Sequence, residues 1–494
     1  MEKHLLSKST FIRGLQCTKS LYLYKNFIQL RDKLSQEKKA LFSRGNNVGL
    51  LAQQLFPNGV DATPEKSYDY IQAVTTTKLL IDSGAEIIYE AAFQAKGVLA
   101  ILDILVKKEG KWYAYEVKSA AKISNTYILD GALQYWVISN AGVELEDFSI
   151  VNINTKYIKN GAIDVHQLFK ITSVKKNIIE KQHFIEEKVE TLLPITNSAA
   201  MPDIKIGEHC FSPYGCDFMG TCWKNVPENS VFEIAGITKM EQFSLFNSGV
   251  KTVSQVPEKN ELNAHANVQL KALKDNNIVI NTELIQQFIS SLTYPLKFID
   301  FETFMPAIPL YDGTHPYENI PFQFSCHERL EEGEIKHIEF LAESGMDPRK
   351  EFLLHVLNVT EGDGSILVYD ALMEKGVLNN LLGLFPEYKL EIQKRLSRII
   401  DLMKPFQEKA YYHPLFKGSF SIKNVLPAIA PELNYVDLTI SSGSIAMIAF
   451  EKLQTETDIF TIAETRDALL AYCKMDTLAM VKIFEVLRQA VTKS

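Results

Sequence analysis

The sequence lacks the features that would place it in a membrane or among secreted proteins. It contains no apolar run long enough to span a bilayer, and its first ten residues, MEKHLLSKST, lack the apolar core of a signal peptide. Cysteine is scarce, with 6 in 494 residues, and in a reducing compartment these thiols are not expected to form structural disulfides. We therefore expect a cytoplasmic protein without a membrane partner.

The sequence also lacks an excess of positive charge, tandem repeats and low-complexity tracts. A formal net charge of −8 gives no global basic field for nucleic acid, which argues against a protein that merely coats a polyanion. It does not argue against an enzyme with a local basic channel and carboxylate-bound cations. Because 494 residues exceed a single ordinary core, we expect an α/β multidomain protein.

Changes of pattern along the chain predict three domains, at residues 1–225, 226–293 and 294–494. The first is predicted to begin with helices, to continue with strands from Glu86 to Lys118, and to contain one long helix over His166–Leu193. The middle one consists of short helical pieces. In the third domain we predict a helix from Pro386 onward, and a last helix from about Thr465 to Leu487. The helix that begins at Pro386 would carry Leu396, Ile399, Ile400 and Met403 on one face.

The stretch Val98–Lys118 is the strongest local signal. It reads as two strands rich in β-branched and aromatic residues, joined by a turn at Gly110. Side chains alternate faces along a strand, so Glu116 and Lys118 share a face. If the hairpin pairs in the simplest register, Asp103 joins them. Two carboxylates and one amine at one place are suited to a divalent metal and a phosphodiester.

An E-x-K triplet alone is a weak signal, because solvated strand faces often carry one. The surrounding residues strengthen it here, since Glu90 lies on the preceding strand and Gln134 on the following helix. The run from EAAFQ through DIL and EVKS to DGALQY resembles the PD-(D/E)XK core of the RecB nuclease family, and more closely its iron–sulfur branch, which includes CRISPR-associated exonucleases. The resemblance covers roughly residues 1–225 and implies a restriction-endonuclease-like fold. It assigns metal binding to Asp103 and Glu116, catalysis to Lys118, and assistance to Glu90 and Gln134.

Four of the cysteines fit the same branch. Cys17 lies far upstream, and Cys210, Cys216 and Cys222 follow a C-x5-C-x5-C spacing. The resemblance implies that they hold a [4Fe–4S] cluster that ties together the two ends of the domain. Zinc with four cysteine ligands is the alternative, although it prefers tighter pairs. The remaining two, Cys326 and Cys473, stand alone and are expected to be small buried apolar side chains.

A second set of acids lies in the third domain. Asp300 and Glu302 share one face at the end of the apolar strand LKFIDFETF, and Tyr472 and Asp476 are four residues apart on one helix face. This D-x-E and Y-x3-D pair resembles the DEDD exonucleases of the RNase H-like superfamily. In that family the acids bind metal and the tyrosine orients the attacking water. The middle motif departs from the family pattern, with Asp370 in place of Asn, Met373 in place of an aromatic residue, and Glu374 as the acid.

Two further stretches carry weaker signals. FEIAGITKMEQFSLFNSGVKTVSQV resembles a helix-hairpin-helix unit, although a small helical linker explains it equally well. YYHPLFKGSFSIKNVLPAIAPELNY resembles an uncharacterised domain that follows RecB-like nucleases and is assigned to the RNase H-like superfamily. Its Lys417-Gly418-Ser419 turn is a candidate contact for a nucleic-acid backbone, whereas His413 is expected to be buried.

The combined expectation is a nuclease that depends on Mg²⁺ or Mn²⁺ and has two centres. The substrate is expected to be DNA, single-stranded or with free ends, and RNA stays open; no protein partner is indicated. Trp112, Tyr135 and Trp136 are candidates for base stacking if they are exposed. The resemblance implies a role in DNA repair or in defence against foreign DNA. The alternatives are one active centre with the other domain as a binding module, and a non-enzymatic adaptor.

Overall fold

The computed structural model describes residues 4–257, 263–435 and 437–492. It is a mixed α/β protein with two compact units. The first consists of Met1–Asn225 together with Pro306–Tyr317, and the second of Val226–Met305 together with Glu318–Ser494. Among the described residues, no helix combines the length and the apolarity needed to cross a bilayer.

The first unit is built on a seven-stranded sheet. Its strands run in the order β2-β3-β4-β5-β6-β7, and β1 pairs with β4. The elements of this unit are β1 Leu6–Ser7, α1 Lys8–Gln16, α2 Thr18–Asn26, α3 Gln36–Ala52, β2 Val60–Asp61, α4 Tyr70–Asp82, β3 Ile87–Ala95, β4 Val98–Lys108, β5 Lys111–Lys118, α5 Asn125–Asn140, β6 Leu145–Ile153, α6 Val165–Leu168, β7 Phe169–Ser173, α7 Lys175–Ile179, α8 Gln182–Thr196 and α9 Met219–Cys222.

Helix α5 packs on one face of this sheet and fixes which residues lie beneath it. Leu133 and Val137 of α5 share a buried core with Ile150 of β6. The next residue, Val151, points to the opposite face and joins a second core with Tyr115. The predicted hairpin is confirmed, with β4 and β5 joined by a turn at Gly110, whose φ is 80°.

The single long helix predicted over His166–Leu193 is wrong. Residues Phe169–Ser173 form the edge strand β7, which pairs antiparallel with β6, and two separate helices follow it. The β-branched pair Ile171 and Thr172 suits a strand, and the hydrogen bonds offered by β6 outweigh the helical spacing of the flanking residues.

The second unit contains a five-stranded sheet in the order β11-β10-β9-β12-β13 and a small two-stranded sheet of β14 and β8. The central strand β9 is antiparallel to β10 and parallel to β12. The elements are α10 Lys239–Asn247, α11 Ala264–Asp275, β8 Val279–Ile280, α12 Thr282–Ser290, β9 Leu296–Phe304, β10 Ile320–Arg329, β11 Ile335–Leu341, α13 Arg349–Val359, β12 Ile366–Val368, α14 Leu372–Leu384, α15 Lys389–Arg398, β13 Ile399–Asp401, α16 Lys404–Gln407, β14 Tyr411–Tyr412, α17 Ile422–Ile429, α18 Gly443–Leu453 and α19 Ile459–Thr492.

Helix α19 covers the second sheet, because Met480 and Phe484 pack in one core with Phe298 of β9. The short helices after Val226 have a small core of their own around Val231 and Ala266. The helix-hairpin-helix interpretation of this region stays a prediction.

The helix predicted from Pro386 onward ends earlier than expected. It stops at Arg398, and Ile399–Asp401 form strand β13, parallel to β12. Ile399 and Ile400 therefore do not share a helix face with Leu396 and Met403. Their β-branched side chains favour the strand, and pairing with β12 supplies the hydrogen bonds that a longer helix would have made internally.

Gly364 precedes β12 at a place where no side chain fits. A Cβ there would lie 1.9 Å from the carbonyl oxygen of Pro295. We expect Gly364→Ala to lower the free energy of unfolding by about 1–3 kcal/mol, because the backbone must shift. Gly376→Ala is the control, since its Cβ would meet no atom within 4 Å inside α14. That variant should be about 0.4–1 kcal/mol more stable than the parent. Urea unfolding measures both, and equal midpoints for the two variants would contradict the assignment.

Candidate functional site

Three strands of the first sheet bring the acids of the hairpin site into one row. The last paired residues of the antiparallel strands β4 and β5 are Ile104 and Tyr115. Asp103 and Glu116 are the next residue on each strand. The pairing of β3 with β4 skips Glu90, whose φ of 53° marks a kink in β3 opposite Asp103. Each acid therefore comes from a different strand, as the hairpin register predicts.

Two lysines hold the same oxygen of Glu116. Lys118 Nζ lies 2.7 Å and Lys8 Nζ 2.9 Å from Glu116 Oε1. Burial alone would raise the pKa of Glu116, but the two ammonium groups outweigh it and lower the pKa to about 2. In turn, the nearby carboxylates overcome burial and raise the pKa of Lys8 to about 12 and that of Lys118 well above its usual value. Lys118 also binds Asp130 Oδ2 at 2.6 Å.

The same pocket contains buried polar atoms without a partner. These are Glu116 Oε2, Asp130 Oδ1 and both polar atoms of the Gln134 side chain, which is fully buried on α5. Burial raises the pKa of Asp103 to about 8, and its Oδ2 accepts a hydrogen bond from Val117 N at 2.5 Å. Unpaired buried oxygens are costly unless a ligand completes them. The residues therefore fit a divalent cation with its bound water.

The four predicted cluster cysteines lie close enough to interact electrostatically. Burial raises the pKa of Cys222, and the charges of Cys216, Cys17 and Cys210 raise it further. Their sulfurs are not packed at the spacing of a preformed zinc site, which would hold them about 3.8 Å apart around a metal with bonds of about 2.3 Å. In the described part of the chain, no three cysteine sulfurs lie within 4.8 Å of one another.

The second centre is formed by β9 and α19. Oxygens of Asp300, Glu302 and Asp476 lie within 4.8 Å of one another, the one such group of possible metal ligands in residues 4–257, 263–435 and 437–492. The first two alternate to the same face of β9 and the third lies on α19, as the D-x-E and Y-x3-D spacings predict. Cys473 Sγ adds a weak contact to Asp300 Oδ2 at 3.8 Å.

These carboxylates repel each other in a buried place. Burial and the neighbouring acids raise the pKa of Asp300 and of Glu302 well above the usual value. Burial also raises the pKa of Asp476, to about 6, against hydrogen bonds from Tyr435 and Tyr472. The Tyr435 hydroxyl donates to Asp476 Oδ1 at 2.6 Å. Such a cluster is stable only when it holds protons or a cation.

Glu374 on α14 is the fourth acid of this centre. It is 1 % exposed, its Oε2 has no partner, and burial raises its pKa to about 8. Its charge also raises the pKa of both Asp300 and Glu302. Asp370, the other acid predicted for the middle motif, has a φ of 69°, and its backbone N–H donates to Asp401 Oδ1 at 3.1 Å.

Two contributors were not predicted from the sequence. In the first centre this is Lys8. In the second, the Lys423 ammonium lies 5.6 Å from the ring centroids of both Tyr435 and Tyr472 and offsets the charge of the acids. No local motif marks either of them, because each reaches its site from a distant part of the chain.

The three aromatic residues that were candidates for base stacking differ in exposure. Trp112 and Trp136 are 8 % and 5 % exposed and pack in the core, so neither is available for stacking. Tyr135 is half-buried.

His413 is half-buried rather than buried, and its Nδ1 accepts a hydrogen bond from Leu415 N. At the Lys417-Gly418-Ser419 turn, a Cβ on Gly418 would lie 2.0 Å from Glu233 O, so the chain itself covers this side of the turn. Cys326 and Cys473 are buried, as expected.

Residues 297–421, about a quarter of the chain, match a family described as a Domain of unknown function (DUF2779). The matched segment contains Asp300, Glu302 and Glu374 but ends before Tyr472 and Asp476. A search of curated proteins finds no match to the chain.

The raised pKa values make the stability of the metal-free protein depend on pH. Acids whose pKa is raised by folding stabilise the fold at low pH, and this contribution is lost as pH rises through about 6 for Asp476 and about 8 for Glu374. Asp300→Asn removes one charge, so its thermal midpoint should fall less between pH 5 and 8.5 than that of the parent. Mn²⁺ should stabilise the parent increasingly over the same range, and the variant much less.

Asp467→Asn is the matched control, because Asp467 is exposed on the same helix as Asp476. It should follow the parent at every pH, with and without Mn²⁺. Parallel curves for Asp300→Asn and the parent would show that the acids of the second centre do not repel each other as their burial implies.

Proposed function

We propose that this protein is a metal-dependent nuclease that hydrolyses phosphodiester bonds of DNA. The observation that carries the proposal is the trio of half-buried Asp300 and buried Glu302 and Asp476, whose oxygens lie within 4.8 Å of one another. Carboxylates held this closely against their mutual repulsion are suited to divalent cations. Bound Mg²⁺ or Mn²⁺ would supply charge for the phosphate oxygens and lower the pKa of the attacking water.

In the second centre, the proposed roles follow from position. Asp300, Glu302, Glu374 and Asp476 hold the cations. Tyr472 hydrogen-bonds to Asp476, and its hydroxyl would orient the attacking water. Lys423 offsets negative charge that develops on the phosphate. We propose that the second unit is an RNase H-like exonuclease domain of the DEDD type, consistent with its mixed sheet and with the order of its motifs.

In the first unit we propose a RecB-like PD-(D/E)XK fold. Asp103 and Glu116 bind metal, Glu90 and Gln134 help to place it, and Lys118 contacts the phosphate or the water. The free oxygen Glu116 Oε2 supports this assignment. The substrate is DNA with a single-stranded region or a free end, and the role is repair or defence against foreign DNA; both rest on the resemblance to the RecB family.

A second candidate function follows from the ion pairs of Glu116. Lys8 and Lys118 already neutralise this carboxylate, whereas the acids of the second centre are under-neutralised. In this alternative, only the second centre cleaves and the first unit binds the nucleic acid.

Cleavage of end-labelled DNA with Mg²⁺ or Mn²⁺ tests the proposal and the alternative together. We expect Lys118→Ala and Asp300→Asn each to reduce one class of product by at least about 100-fold, and the double variant to be inactive. Lys111→Ala and Asp467→Asn, both exposed, should leave cleavage unchanged. If only Asp300→Asn reduces cleavage, the single-centre alternative holds. If neither variant does, or if the parent cleaves nothing, the nuclease proposal fails.

We also propose that Cys17, Cys210, Cys216 and Cys222 bind a [4Fe–4S] cluster. Protein purified without oxygen should be brown and contain iron and acid-labile sulfide, and Cys216→Ala should lose both. Cys326→Ala is the control, because this thiol is buried in β10. Colourless protein with one equivalent of zinc would contradict the cluster.

A further inference from the structure

A second row of polar side chains crosses the first sheet beside the row of acids. Lys118 on β5 pairs with Asn152 on β6, and Asn152 pairs with Lys170 on β7. Directly paired residues point to the same face, so these three side chains lie on the face that carries Glu116. Neighbouring strands are about 4.8 Å apart, which puts Lys170 about 10 Å from Lys118 across the sheet.

Two adjoining clefts open along this row. One has a volume of about 450 Å³ and its lining includes Lys122, Asn152 and Thr172. The other has a volume of about 490 Å³ and its lining includes His166. Both clefts share the side chains of Asn154, Lys156 and Lys170. Neither is lined by a carboxylate.

The three lysines of these clefts are not engaged by acids. Lys122, Lys156 and Lys170 are exposed, and the described residues provide none of them with an ion-pair partner. The chain as a whole has a formal net charge of −8. The surface around these clefts is instead positively charged, because three lysines and no carboxylate line them. Their mutual repulsion is relieved by a ligand with several negative charges.

Asn152 adds an independent observation at the floor of the first cleft. The residue is 4 % exposed, and its Nδ2 donates to Ala121 O at 3.3 Å and to Ile153 O at 3.2 Å. Its Oδ1 is buried and has no partner. Unpaired buried acceptors are uncommon, and this one belongs to a residue that lines the cleft. The amide also holds the backbone that follows Lys118.

We propose that these clefts hold one strand of a polynucleotide and lead it to the first centre, an inference that rests on the proposed nuclease function. Lys122, Lys156 and Lys170 bind phosphates of the strand, and Asn152 Oδ1 accepts a hydrogen bond from a base N–H group. Lys156 and Lys170 line both clefts and Lys122 lines the first, so the three lysines border adjoining clefts beside the row that begins at Lys118.

Binding without cleavage tests this strand site. The probe is a fluorescein-labelled oligothymidylate of about twelve residues, measured by anisotropy in EDTA. The triple variant Lys122→Ala/Lys156→Ala/Lys170→Ala should bind about 10–100-fold more weakly, and the slope of log K against log salt should shrink by about 2. The control triple Lys66→Ala/Lys78→Ala/Lys176→Ala, exposed lysines of the same unit outside the clefts, should bind like the parent.

The outcomes separate this inference from the nuclease proposal. If the parent cleaves DNA but both triple variants bind equally well, the strand site is wrong and the nuclease proposal stands. If inorganic phosphate or thymidine monophosphate displaces the probe at concentrations near its own, the clefts are a small-anion site and the inference is overturned. Loss of binding in the first triple variant alone supports it, even if the parent does not cleave.

Discussion

Repulsion between buried carboxylates is the constraint on which the second unit depends. Asp300 and Glu302 occupy the central strand of its sheet, and α19 and α14 bring Asp476 and Glu374 to the same point. Burying like charges without counterions costs far more than the core around them gains from any single contact. The core that packs Phe298 of β9 against α19 holds the acids in place, and protons or a cation must offset their charge.

The negative charge of the acids is offset in different ways at the two centres. In the first, Lys8 and Lys118 neutralise Glu116 from within the protein, and the pKa of that carboxyl falls to about 2. In the second, Lys423 and two tyrosine hydroxyls offset only part of the charge, and the pKa of every acid stays raised. The chain itself therefore keeps Glu116 charged, whereas the pKa of Asp103 in the first centre is raised like those of the acids in the second.

The elements that carry the centres could be predicted because their patterns are local. The alternation along Val98–Lys118 and the D-x-E of β9 predict shared faces as soon as these segments form strands. Likewise, Tyr472 and Asp476 share a face as soon as their segment forms a helix. Lys8 and Lys423 left no such pattern, since tertiary packing alone brings them to their sites. The errors at Phe169–Ser173 and Ile399–Asp401 have the same origin. Both are short edge strands in which pairing with a neighbour outweighs helical periodicity.

The connection between β9 and β10 has a consequence for how this chain can be divided. Pro306–Tyr317 belongs to the first unit, where Ala307 is buried in the core that contains Tyr115. Lys159, also of the first unit, binds Asp312 at 2.6 Å. The first unit is thus discontinuous, and a fragment ending at Asn225 lacks part of its own core. Neither unit is therefore encoded by one contiguous stretch of the gene.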